Sequence, residues 1–395
     1  MKNISHIKDC FGCGVCATIC PKNIISISLN QDGFYEPHIY ETDKCIECGL
    51  CLSVCAYSHD DLAIQNTPIH GYAGWSNNSS VRLSSTSGGV GFEIARYLLE
   101  KGYKVCGVRY NGDKKRAEHY IASSLEQLKQ SVGSKYIQSY TVEAFKTLTR
   151  DEKYLITGTP CQIDSFRRFI QKKHIEEHFV LLDCFCHGIP SMWVWQKYLR
   201  DVEALIGDVK SASWRNKIIY RKDNTSEKFN WHDSYNLFLK GVKGEKLSRH
   251  ANGDLFFFFF LGNTCLGKAC YTHCKYKGVK SSADIRIGDC WGHIYQDNKE
   301  GVNVVIPFTS KGEHLIHQID CTLKQHALDE VIEGQLKQNI RPHYKYEKIR
   351  RQLNKSHITL YDIYQLVYRY NLLSRCLQLI SHPIVLLSKI KEKIN

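Results

Sequence analysis

Eight cysteines near the start of the chain have the spacing that iron–sulfur clusters require. They form two copies of the pattern C-x-x-C-x-x-C-x-x-x-C and are Cys10, Cys13, Cys16, Cys20, Cys45, Cys48, Cys51 and Cys55. A 4Fe-4S cluster takes four thiolate ligands, and two-residue gaps let one tight loop supply three of them. The fourth cysteine of each copy lies beyond the reach of that loop. The pattern therefore predicts two 4Fe-4S clusters.

We assign the fourth cysteine of each run to the other cluster, as in two-cluster ferredoxins. One predicted cluster has the ligands Cys10, Cys13, Cys16 and Cys55. The other has the ligands Cys20, Cys45, Cys48 and Cys51. Zinc knuckles and a disulfide framework are the alternatives, since cysteines at this spacing suit both. Zinc takes its ligands as two pairs, whereas each run here is evenly crowded, so the pattern favours iron–sulfur. Such a module transfers single electrons, and chemistry on a substrate must come from the rest of the chain.

A further group of cysteines lies far along the chain. Its members are Cys265, Cys270 and Cys274. Three thiolates so close together favour a metal or a third 4Fe-4S cluster that needs one more ligand. The preferred fourth ligand is Cys161, with Cys290 and Cys184 as rivals. The alternative is three unligated thiols in a reducing compartment.

The composition is that of a long globular chain. At 395 residues and 43% hydrophobic content, it has the length of two or three domains with ample core. Its 18 cysteines and the lack of an apolar leader after Met1 and Lys2 predict the reducing cytoplasm. No apolar run is long enough to span a bilayer. The longest, Leu255–Leu261, is interpreted as a buried strand or helix edge.

Charge is unevenly distributed. Residues 1–66 contain four Lys or Arg and eight Asp or Glu, a net charge of −4. Because the whole chain has a net charge of +13, the remaining residues carry +17. An acidic electron-transfer module beside a basic body suits anionic cofactors or an acidic redox partner, and simple solubility explains it equally well. The basic residues are dispersed and match no nucleic-acid motif, so no nucleic-acid partner is expected.

Two strands are predicted between the cysteine runs, Ile24–Leu29 and Phe34–Ile39, joined by a turn at Asp32-Gly33. A linker into the next domain is predicted from Pro68, Gly71 and Gly74.

The segment Ser84–Gly89 precedes a predicted helix, Val90–Glu100, and a strand, Lys104–Tyr110. Small hydroxyl and glycine residues before a helix leave backbone N–H groups free for a phosphate or carboxylate. An ordinary capped helix with a flexible loop is the alternative.

Alternating strands and helices follow. The predicted strands Lys153–Thr157 and Phe179–Cys184 are each followed by a helix, the second over Trp193–Leu205. This rhythm indicates an α/β domain whose site lies at the carboxyl ends of the strands, where Cys161 and His187 fall. Taken singly, each of these two residues is as easily explained by packing.

The remaining segments are less informative. Val209–Phe238 alternates and predicts an antiparallel sheet. Thr359–Lys393 has apolar residues at helical spacing, a break at His382-Pro383 and a basic end. The basic residues are Lys389, Lys391 and Lys393. Terminal helices docked on the body are expected, and a peripheral membrane contact is the weaker alternative.

Five motifs occur in order along the body. They are Ser87-Gly88-Gly89, Gly133-Ser134-Lys135-Tyr136-Ile137-Gln138-Ser139, Gly158-Thr159-Pro160-Cys161-Gln162, Cys186-His187-Gly188-Ile189-Pro190-Ser191 and Gly288-Asp289-Cys290-Trp291-Gly292. Over residues 1–325 the chain resembles the coenzyme F420 hydrogenase/dehydrogenase beta-subunit family, fused to a dicluster ferredoxin module. It departs from the family in the three-residue gap before Cys274 and in Cys290, where relatives often have an aromatic residue.

The resemblance implies an iron–sulfur oxidoreductase that contains FAD, because a flavin converts single electrons into two-electron chemistry. It implies flavin contacts from Ser87, Gly88, Gly89, Ser134, Tyr136, Gln138, Thr159, Pro160, Gln162 and Gly188. Lys135 would stabilise reduced anionic flavin or an anionic substrate, and His187 would deliver a proton. The third cluster would use Cys161, Cys265, Cys270 and Cys274.

The expected fold is α+β, with a two-cluster ferredoxin-like module followed by an α/β flavin-binding body with a mixed sheet and C-terminal helices. The expected boundaries are 1–66 for the module, 67–150 and 151–325 for the two parts of the flavoprotein domain, and 326–395 for a helical extension. The expected function is two-electron reduction or oxidation of a small molecule by a cytoplasmic enzyme. The alternative is an electron-transfer subunit that serves a partner enzyme. Ferredoxin or another redox protein is the expected partner, and an oligomer is compatible with the sequence.

Overall fold

The structure is a computed structural model and describes residues 2–68 and 70–368. Its helices are α1 Val15–Ile19, α2 Leu50–Ser53, α3 Ser79–Ser84, α4 Val90–Glu100, α5 Leu125–Leu128, α6 Val142–Phe145, α7 Pro160–Lys173, α8 Met192–Ile206, α9 Leu255–Leu261, α10 Lys268–Thr272, α11 Ser310–Ile316, α12 Leu328–Val331 and α13 Tyr346–Leu353. Its strands are β1 Ile25–Leu29, β2 Tyr35–Ile39, β3 His70–Ser76, β4 Lys104–Asn111, β5 Arg116–Ala122, β6 Ser139–Tyr140, β7 Tyr154–Gly158, β8 Phe179–Cys184, β9 Val209–Trp214, β10 Ile218–Tyr220, β11 Ser226–Lys228, β12 Asn236–Gly241, β13 Glu245–Arg249, β14 Ile285–Asp289, β15 Asn303–Pro307 and β16 Cys321–Ala327.

The N-terminal module is built as two similar halves around a hairpin. Strands β1 and β2 pair antiparallel, with Ile25 opposite Ile39, which confirms the predicted hairpin. Each cysteine run turns into a short helix, α1 or α2, directly after a glycine. Gly14 and Gly49 adopt φ of 77° and 71°, in the left-handed region that favours glycine, so these two residues allow the tight loops.

The body contains a nine-stranded mixed sheet in the order β16-β3-β15-β14-β8-β7-β4-β5-β6. The four central strands β14, β8, β7 and β4 run parallel to one another, and α4 and α7 follow the strand-helix rhythm predicted from the sequence. Strand β8 is buried over Phe179–Asp183, as expected for a strand covered on both faces. The carboxyl ends of the parallel strands therefore meet at one edge of the sheet, which we call the carboxyl edge.

The segment predicted as a linker is strand β3 from His70 onward, in the interior of this sheet. The glycines that suggested a linker have a packing role instead. A Cβ on Gly74 would lie 2.5 Å from Leu323 Cδ2, and one on Gly71 would lie 2.9 Å from Val331 Cγ2. The linker interpretation of these two glycines was wrong because glycine also occurs where neighbouring elements approach a strand closely.

A smaller antiparallel sheet, β13-β12-β9, lies beside the body, as predicted for this part of the chain. Helices α8 and α9 contribute to its core, together with Trp195 and Trp214. The phenylalanine-rich stretch is a helix, α9, in which Phe256, Phe257, Phe259 and Phe260 are buried.

Residues 360–368 are helical, and their apolar side chains pack on the same core. The buried residues are Leu360, Ile363 and Val367, which confirms that this part docks on the body. The predicted break at His382-Pro383 and the basic end at Lys389, Lys391 and Lys393 lie outside the described residues. Within residues 2–68 and 70–368, no helix has the length and apolar character needed to cross a membrane.

Candidate functional site

The eight N-terminal cysteines line two separate cavities. The first, which we call the proximal cavity because it faces the body, is bordered by Cys10, Cys13, Cys16 and Cys55 and measures about 330 Å³ including its open part. Three of these cysteines come from the first run and one from the second. The structure therefore brings together the four residues that the sequence assigned to one cluster.

The second cavity, the distal cavity, is bordered by Cys20, Cys45, Cys48 and Cys51 and measures about 370 Å³ including its open part. Its members likewise mix three cysteines of one run with one of the other. Cys48 is exposed, so this cavity reaches the protein surface.

The thiols of Cys10, Cys13 and Cys16 in the proximal cavity favour the neutral form when nothing positive is present, because their pKa values are raised. Burial raises the pKa of Cys13 to about 11, and the neighbouring Cys55 adds to this effect. Burial likewise raises the pKa of Cys10 and Cys16, with further contributions from the other cysteines of the cavity. Thiolates crowded at this depth need a compensating cation, which the iron of a 4Fe-4S cluster supplies. The donor set therefore fits such a cluster.

These sites differ from mononuclear metal centres. In the part of the chain that the structure describes, no group of three or more His, Cys, Asp or Glu side chains is arranged to hold a single metal ion. The proximal and distal cavities are instead each bordered by four cysteines, the number that a 4Fe-4S cluster takes.

A third group of cysteines forms at the carboxyl edge, and its membership differs from the sequence expectation. Cys161 begins α7, Cys186 follows β8, and Cys270 and Cys274 lie in and just after α10. These thiols are near neighbours. Burial is the main cause of the raised pKa of Cys161, and the charges of Cys186 and Cys270 raise it further. Burial is also the main cause for Cys270, whose pKa is raised to about 12 with contributions from Cys186 and Cys274.

Cys265, which the sequence placed in this group, lies elsewhere. It is 3% exposed and packs in the aromatic core with α8 and α9, where its Sγ lies 3.8 Å from the carbonyl oxygen of Phe259. Burial raises its pKa to about 12 without a contribution from the cysteines of the third group. The backbone between Cys265 and α10 therefore directs this side chain away from the other three, and the structure puts Cys186 with them.

The two rival ligands have different surroundings. Cys184, at the end of β8, is close enough to Cys186 for the charge of one thiol to raise the pKa of the other. Cys290 is buried in an apolar cluster with Val302 and Val304, and its Sγ lies 4.0 Å from the carbonyl oxygen of Val331. Cys290 therefore fills a core position.

Helix α7 joins the proximal cavity to the third group. Its first turn carries Cys161, and one turn later Ser165 Oγ lies 3.2 Å from Cys13 Sγ and accepts from the Ala56 N–H at 3.0 Å. The thiol of Cys13 also contributes to the raised pKa of Cys161, after burial and the nearer cysteines. The N-terminal module thus meets the body beside both groups of cysteines.

The contact is reinforced by side chains of the body. Lys275 Nζ donates to the carbonyl oxygens of Ala56, His59 and Asp61 at 3.0, 2.6 and 2.6 Å. Thr141 Oγ1 donates to the carbonyl oxygen of Cys13 at 2.8 Å. These bonds fix the cysteine loops directly to the body.

Two residues predicted to contact flavin, Gln138 and Gln162, use their side-chain amides for hydrogen bonds within the protein. Gln138 accepts from the Tyr35 N–H at 3.0 Å and donates to the carbonyl oxygen of Phe11 at 3.2 Å. Gln162 accepts from the Thr159 N–H at 2.9 Å and donates to Ser139 Oγ at 3.1 Å. The first amide holds the N-terminal module and the second caps α7 after Thr159-Pro160.

The Ser87-Gly88-Gly89 loop lies at the carboxyl edge, between β3 and α4. Ser87 Oγ donates to the carbonyl oxygen of Val302 at 2.8 Å, and Asn303 Oδ1 accepts from the Val90 N–H at 3.1 Å. Gly88 is pressed against β3, since a Cβ there would lie 2.4 Å from the carbonyl oxygen of Gly74. The loop is therefore fixed by contacts with β3 and β15.

Lys217, which the sequence did not single out, holds this loop through a hydrogen bond to its backbone. It is 3% exposed, and its Nζ donates to the carbonyl oxygens of Ser87, Arg82 and Glu300, the first at 2.6 Å. Burial and, to a smaller extent, the charge of Arg82 lower its pKa to about 7. No local pattern marks it, because its three partners come from two distant segments.

The second predicted loop, residues 133–139, approaches the first. The Ser134 N–H donates to Thr86 Oγ1 at 3.1 Å. Lys135 turns back onto its own loop, where Nζ donates to the carbonyl oxygens of Ser131, Val132 and Gly133 at 2.9, 2.9 and 3.0 Å. Burial lowers the pKa of Lys135 to about 7. Its ammonium therefore stabilises the loop in this arrangement.

A different cation, Arg215, faces this region. It is 2% exposed, its Nη1 donates to Asp289 Oδ2 at 2.5 Å, and its guanidinium lies 4.7 Å from the ring of Tyr235 and 5.0 Å from that of Trp291. Its Nε and the neighbouring Trp214 Nε1 are buried without a hydrogen-bond partner among the described residues. The orphaned Nε of Arg215 fits the polar edge of a bound ring or an anionic group. The sequence signal for this site was the Gly288-Asp289 motif.

His187 is held by its neighbours at the same edge. Its Nε2 bonds Asn263 Oδ1, and its ring lies 5.1 Å from that of Phe260. Lys277 Nζ donates to the carbonyl oxygens of Cys186 and His187 at 2.7 and 3.1 Å, which fixes the loop that continues to Gly188. Burial lowers the pKa of His187, so the ring favours its neutral form.

Comparisons with known proteins agree with this architecture. A sequence model of the coenzyme F420 hydrogenase/dehydrogenase beta subunit N-terminus matches residues 71–146, and a model of its C terminus matches residues 151–329. A 4Fe-4S dicluster domain matches residues 9–58. The two beta-subunit matches together span more than half of the chain.

The coenzyme F420-dependent sulfite reductase of Methanocaldococcus jannaschii is 25% identical over 361 residues, which are 89% of this chain and 52% of that protein. The chain therefore spans about half the length of this curated relative. Among solved structures, it is similar to a chain of the F420-reducing nickel–iron hydrogenase complex of Methanosarcina barkeri, with 15% identity and a TM-score of 0.45 over 79% of this chain and 94% of that one.

Proposed function

The chain belongs to the coenzyme F420 hydrogenase/dehydrogenase beta-subunit family and carries an N-terminal 4Fe-4S dicluster domain, and on this premise we propose that it is an iron–sulfur flavoprotein oxidoreductase. It passes electrons between 4Fe-4S clusters and FAD for the two-electron reduction or oxidation of a small molecule. FAD, when bound, supplies the exchange between single electrons and electron pairs.

The observation that carries this proposal is that helix α7 contacts two cysteine groups, the third group and the proximal cavity. Cys161 belongs to the third group and Ser165, one turn later on α7, contacts Cys13 of the proximal cavity. We assign a third 4Fe-4S cluster to Cys161, Cys186, Cys270 and Cys274, with Cys186 in place of Cys265. Three clusters in this order connect the module to the carboxyl edge.

At that edge, the residues of the chain bind and orient FAD. The Ser87-Gly88-Gly89 loop and the loop around Ser134 and Tyr136 form the two sides of the proposed FAD site. The segments at Thr159-Pro160 and Gly188 lie next to the third group of cysteines. Arg215 takes the role that the sequence gave to Lys135, because its unpartnered Nε is free to stabilise negative charge on a reduced ring. His187, whose ring is held by Asn263 and whose pKa is lowered by burial, is the candidate to hold a proton.

Anaerobic reconstitution tests the proposal. Protein rebuilt with iron, sulfide and FAD is expected to contain about twelve irons per chain, four for each of three clusters, and to show a yellow flavin spectrum. Because one relative is named as F420-dependent, reduced coenzyme F420 is the first donor to add. Bleaching of the flavin by a small molecule supports the proposal, and protein that takes up iron but no FAD contradicts the flavoprotein part of it.

The alternative function is a pure electron-transfer subunit, and the exposed Cys48 favours it, since the distal cavity reaches the surface where a partner protein could donate or accept electrons. Reoxidation of the reduced protein distinguishes the two. A pure carrier is reoxidised by a partner protein alone, whereas an enzyme is also reoxidised by a small molecule.

Replacing Lys217 by methionine is expected to weaken FAD binding about tenfold or more. Methionine keeps an unbranched stem of similar length but leaves three carbonyl oxygens, that of Ser87 buried, without their donor, so the Ser87 loop loses its position. Titration of the apoflavin protein with FAD, followed by flavin fluorescence, measures the affinity. Lys222→Met, a change at an exposed lysine of the same region, is the control and leaves the affinity unchanged.

A further inference from the structure

The hydroxyl of Ser165 is a body side chain placed between two ligands of the proximal cavity. Ser165 is fully buried, and its Oγ lies 3.2 Å from Cys13 Sγ. The same oxygen accepts from the N–H of Ala56, the residue directly after Cys55, at 3.0 Å. One hydroxyl thus touches Cys13 and the backbone beside Cys55.

The donor direction at this hydroxyl follows from its partners. A serine hydroxyl has one proton to donate and accepts through its oxygen lone pairs. The Ala56 N–H occupies a lone pair, so the hydroxyl proton is free for another acceptor. A thiolate at Cys13, as a cluster ligand must be, offers no proton and accepts one. With a cluster bound, the O–H of Ser165 therefore donates to Cys13 Sγ.

Among the described residues, the other hydrogen bonds to thiols of the module come from within it. Asn3 Nδ2 lies 3.5 Å from Cys45 Sγ at the distal cavity, and the Gly12 N–H lies 3.4 Å from Cys10 Sγ. Ser165 differs from both because it belongs to α7, the helix that carries Cys161. Through this residue, the body acts on a ligand of the N-terminal module.

We propose that Ser165 raises the reduction potential of the proximal cluster and so sets the driving force for electron transfer between the module and the body. The inference rests on the proposed clusters. Hydrogen bonds to the sulfurs are one of the protein's means of setting cluster potentials, and they stabilise the more negative, reduced form. Burial of the cavity acts in the opposite direction, because a low-dielectric site disfavours added negative charge. Ser165 offsets that effect at the cluster facing the body.

The proposal is tested with Ser165→Ala in the full-length, cluster-loaded protein. At a fixed potential, the ratio of reduced to oxidised proximal cluster is expected to fall about three- to tenfold, which is about 30 to 60 mV at 59 mV per tenfold for a one-electron couple. Redox titration followed by electron paramagnetic resonance measures it. The distal cluster in the same sample keeps its potential and serves as the internal reference.

Ser282→Ala is the matched control. Ser282 is also fully buried at this interface and accepts from an N–H of the module, that of Ala63 at 3.1 Å, but its hydroxyl hydrogen-bonds Asp164 and not a cysteine. Its replacement loosens the same contact and is expected to leave the proximal potential unchanged. Ser165→Thr, which retains the hydroxyl, restores most of the potential.

Four results decide the matter. An unchanged proximal potential in Ser165→Ala, or an equal shift in Ser282→Ala, overturns the proposal. If the alanine variant does not fold, Ser165→Cys is used instead, because it keeps the size of the side chain with a weaker hydrogen-bond donor. A proximal potential that is not lowered in Ser165→Cys also overturns the proposal. Wild-type protein that binds no cluster at all contradicts the proposed function instead, so the two failures are distinguishable.

Discussion

Replacing Cys186 by alanine is expected to remove about four irons per chain and to slow electron transfer between the N-terminal module and FAD by at least about a hundredfold. Cys186 lies with Cys161, Cys270 and Cys274, and a 4Fe-4S cluster that loses one of four thiolate ligands is readily lost. The proximal and distal cavities keep their eight cysteines and their clusters. The largest change is therefore an interruption in the middle of the electron path.

Iron analysis and stopped-flow reduction measure the two effects. Cys265→Ala is the matched control, because this cysteine was the sequence-based candidate and lies in the aromatic core instead. It is expected to keep about twelve irons per chain and most of the electron-transfer rate. The reverse outcome, iron loss in Cys265→Ala and none in Cys186→Ala, would contradict the assignment of the third cluster.

Replacing Asp183 by alanine is expected to destabilise the folded protein by about 3 to 5 kcal/mol, the cost of leaving a buried charge without its partner. Asp183 Oδ1 and Oδ2 accept from Arg286 Nε and Nη2 at 2.7 Å each, and both side chains are inaccessible to solvent. Burial alone would lower the pKa of Arg286, but the Asp183 carboxylate holds it above its usual value. The guanidinium therefore stays charged when its partner is removed.

Urea unfolding of matched anaerobic samples, followed by tryptophan fluorescence, measures this loss. Asp113→Ala removes a carboxylate that pairs with Lys210 at the surface, and no measurable change is expected there because exposed pairs are screened by solvent. An Asp183 variant as stable as Asp113→Ala would show that the Arg286 guanidinium finds other compensation, such as the carbonyl oxygens of Tyr276 and Gly278 that it already contacts.

Local spacing was sufficient for the N-terminal module and insufficient for the third group. Two-residue gaps place three cysteines on one loop whatever surrounds it, so the membership of both N-terminal cavities could be predicted. The third group depends on parallel strands β7 and β8 being neighbours, which puts the residues after Gly158 and Cys184 side by side. Cys265 is close to Cys270 in sequence, but the turn between them separates their side chains.

The position of the candidate site at the carboxyl edge was predicted in outline. The Ser87-Gly88-Gly89 loop lies at the carboxyl edge, as the strand-helix rhythm indicated. The charged residues could not be predicted, because Arg215 and Lys217 lie in the loop between β9 and β10 and reach the edge through tertiary packing. Lys135 lies in a recognised motif, yet its ammonium is used by the carbonyl oxygens of its own loop.

The three bonds from Lys275 to the carbonyl oxygens of Ala56, His59 and Asp61 have a consequence for how electrons travel. Many carriers are tethered on hinges and swing between donor and acceptor, so that domain motion limits their rate. Here the module is clamped by its backbone at the place where the two cysteine groups meet. With the proposed clusters in place, the fold fixes the distance between donor and acceptor, and electron transfer through this contact requires no domain motion.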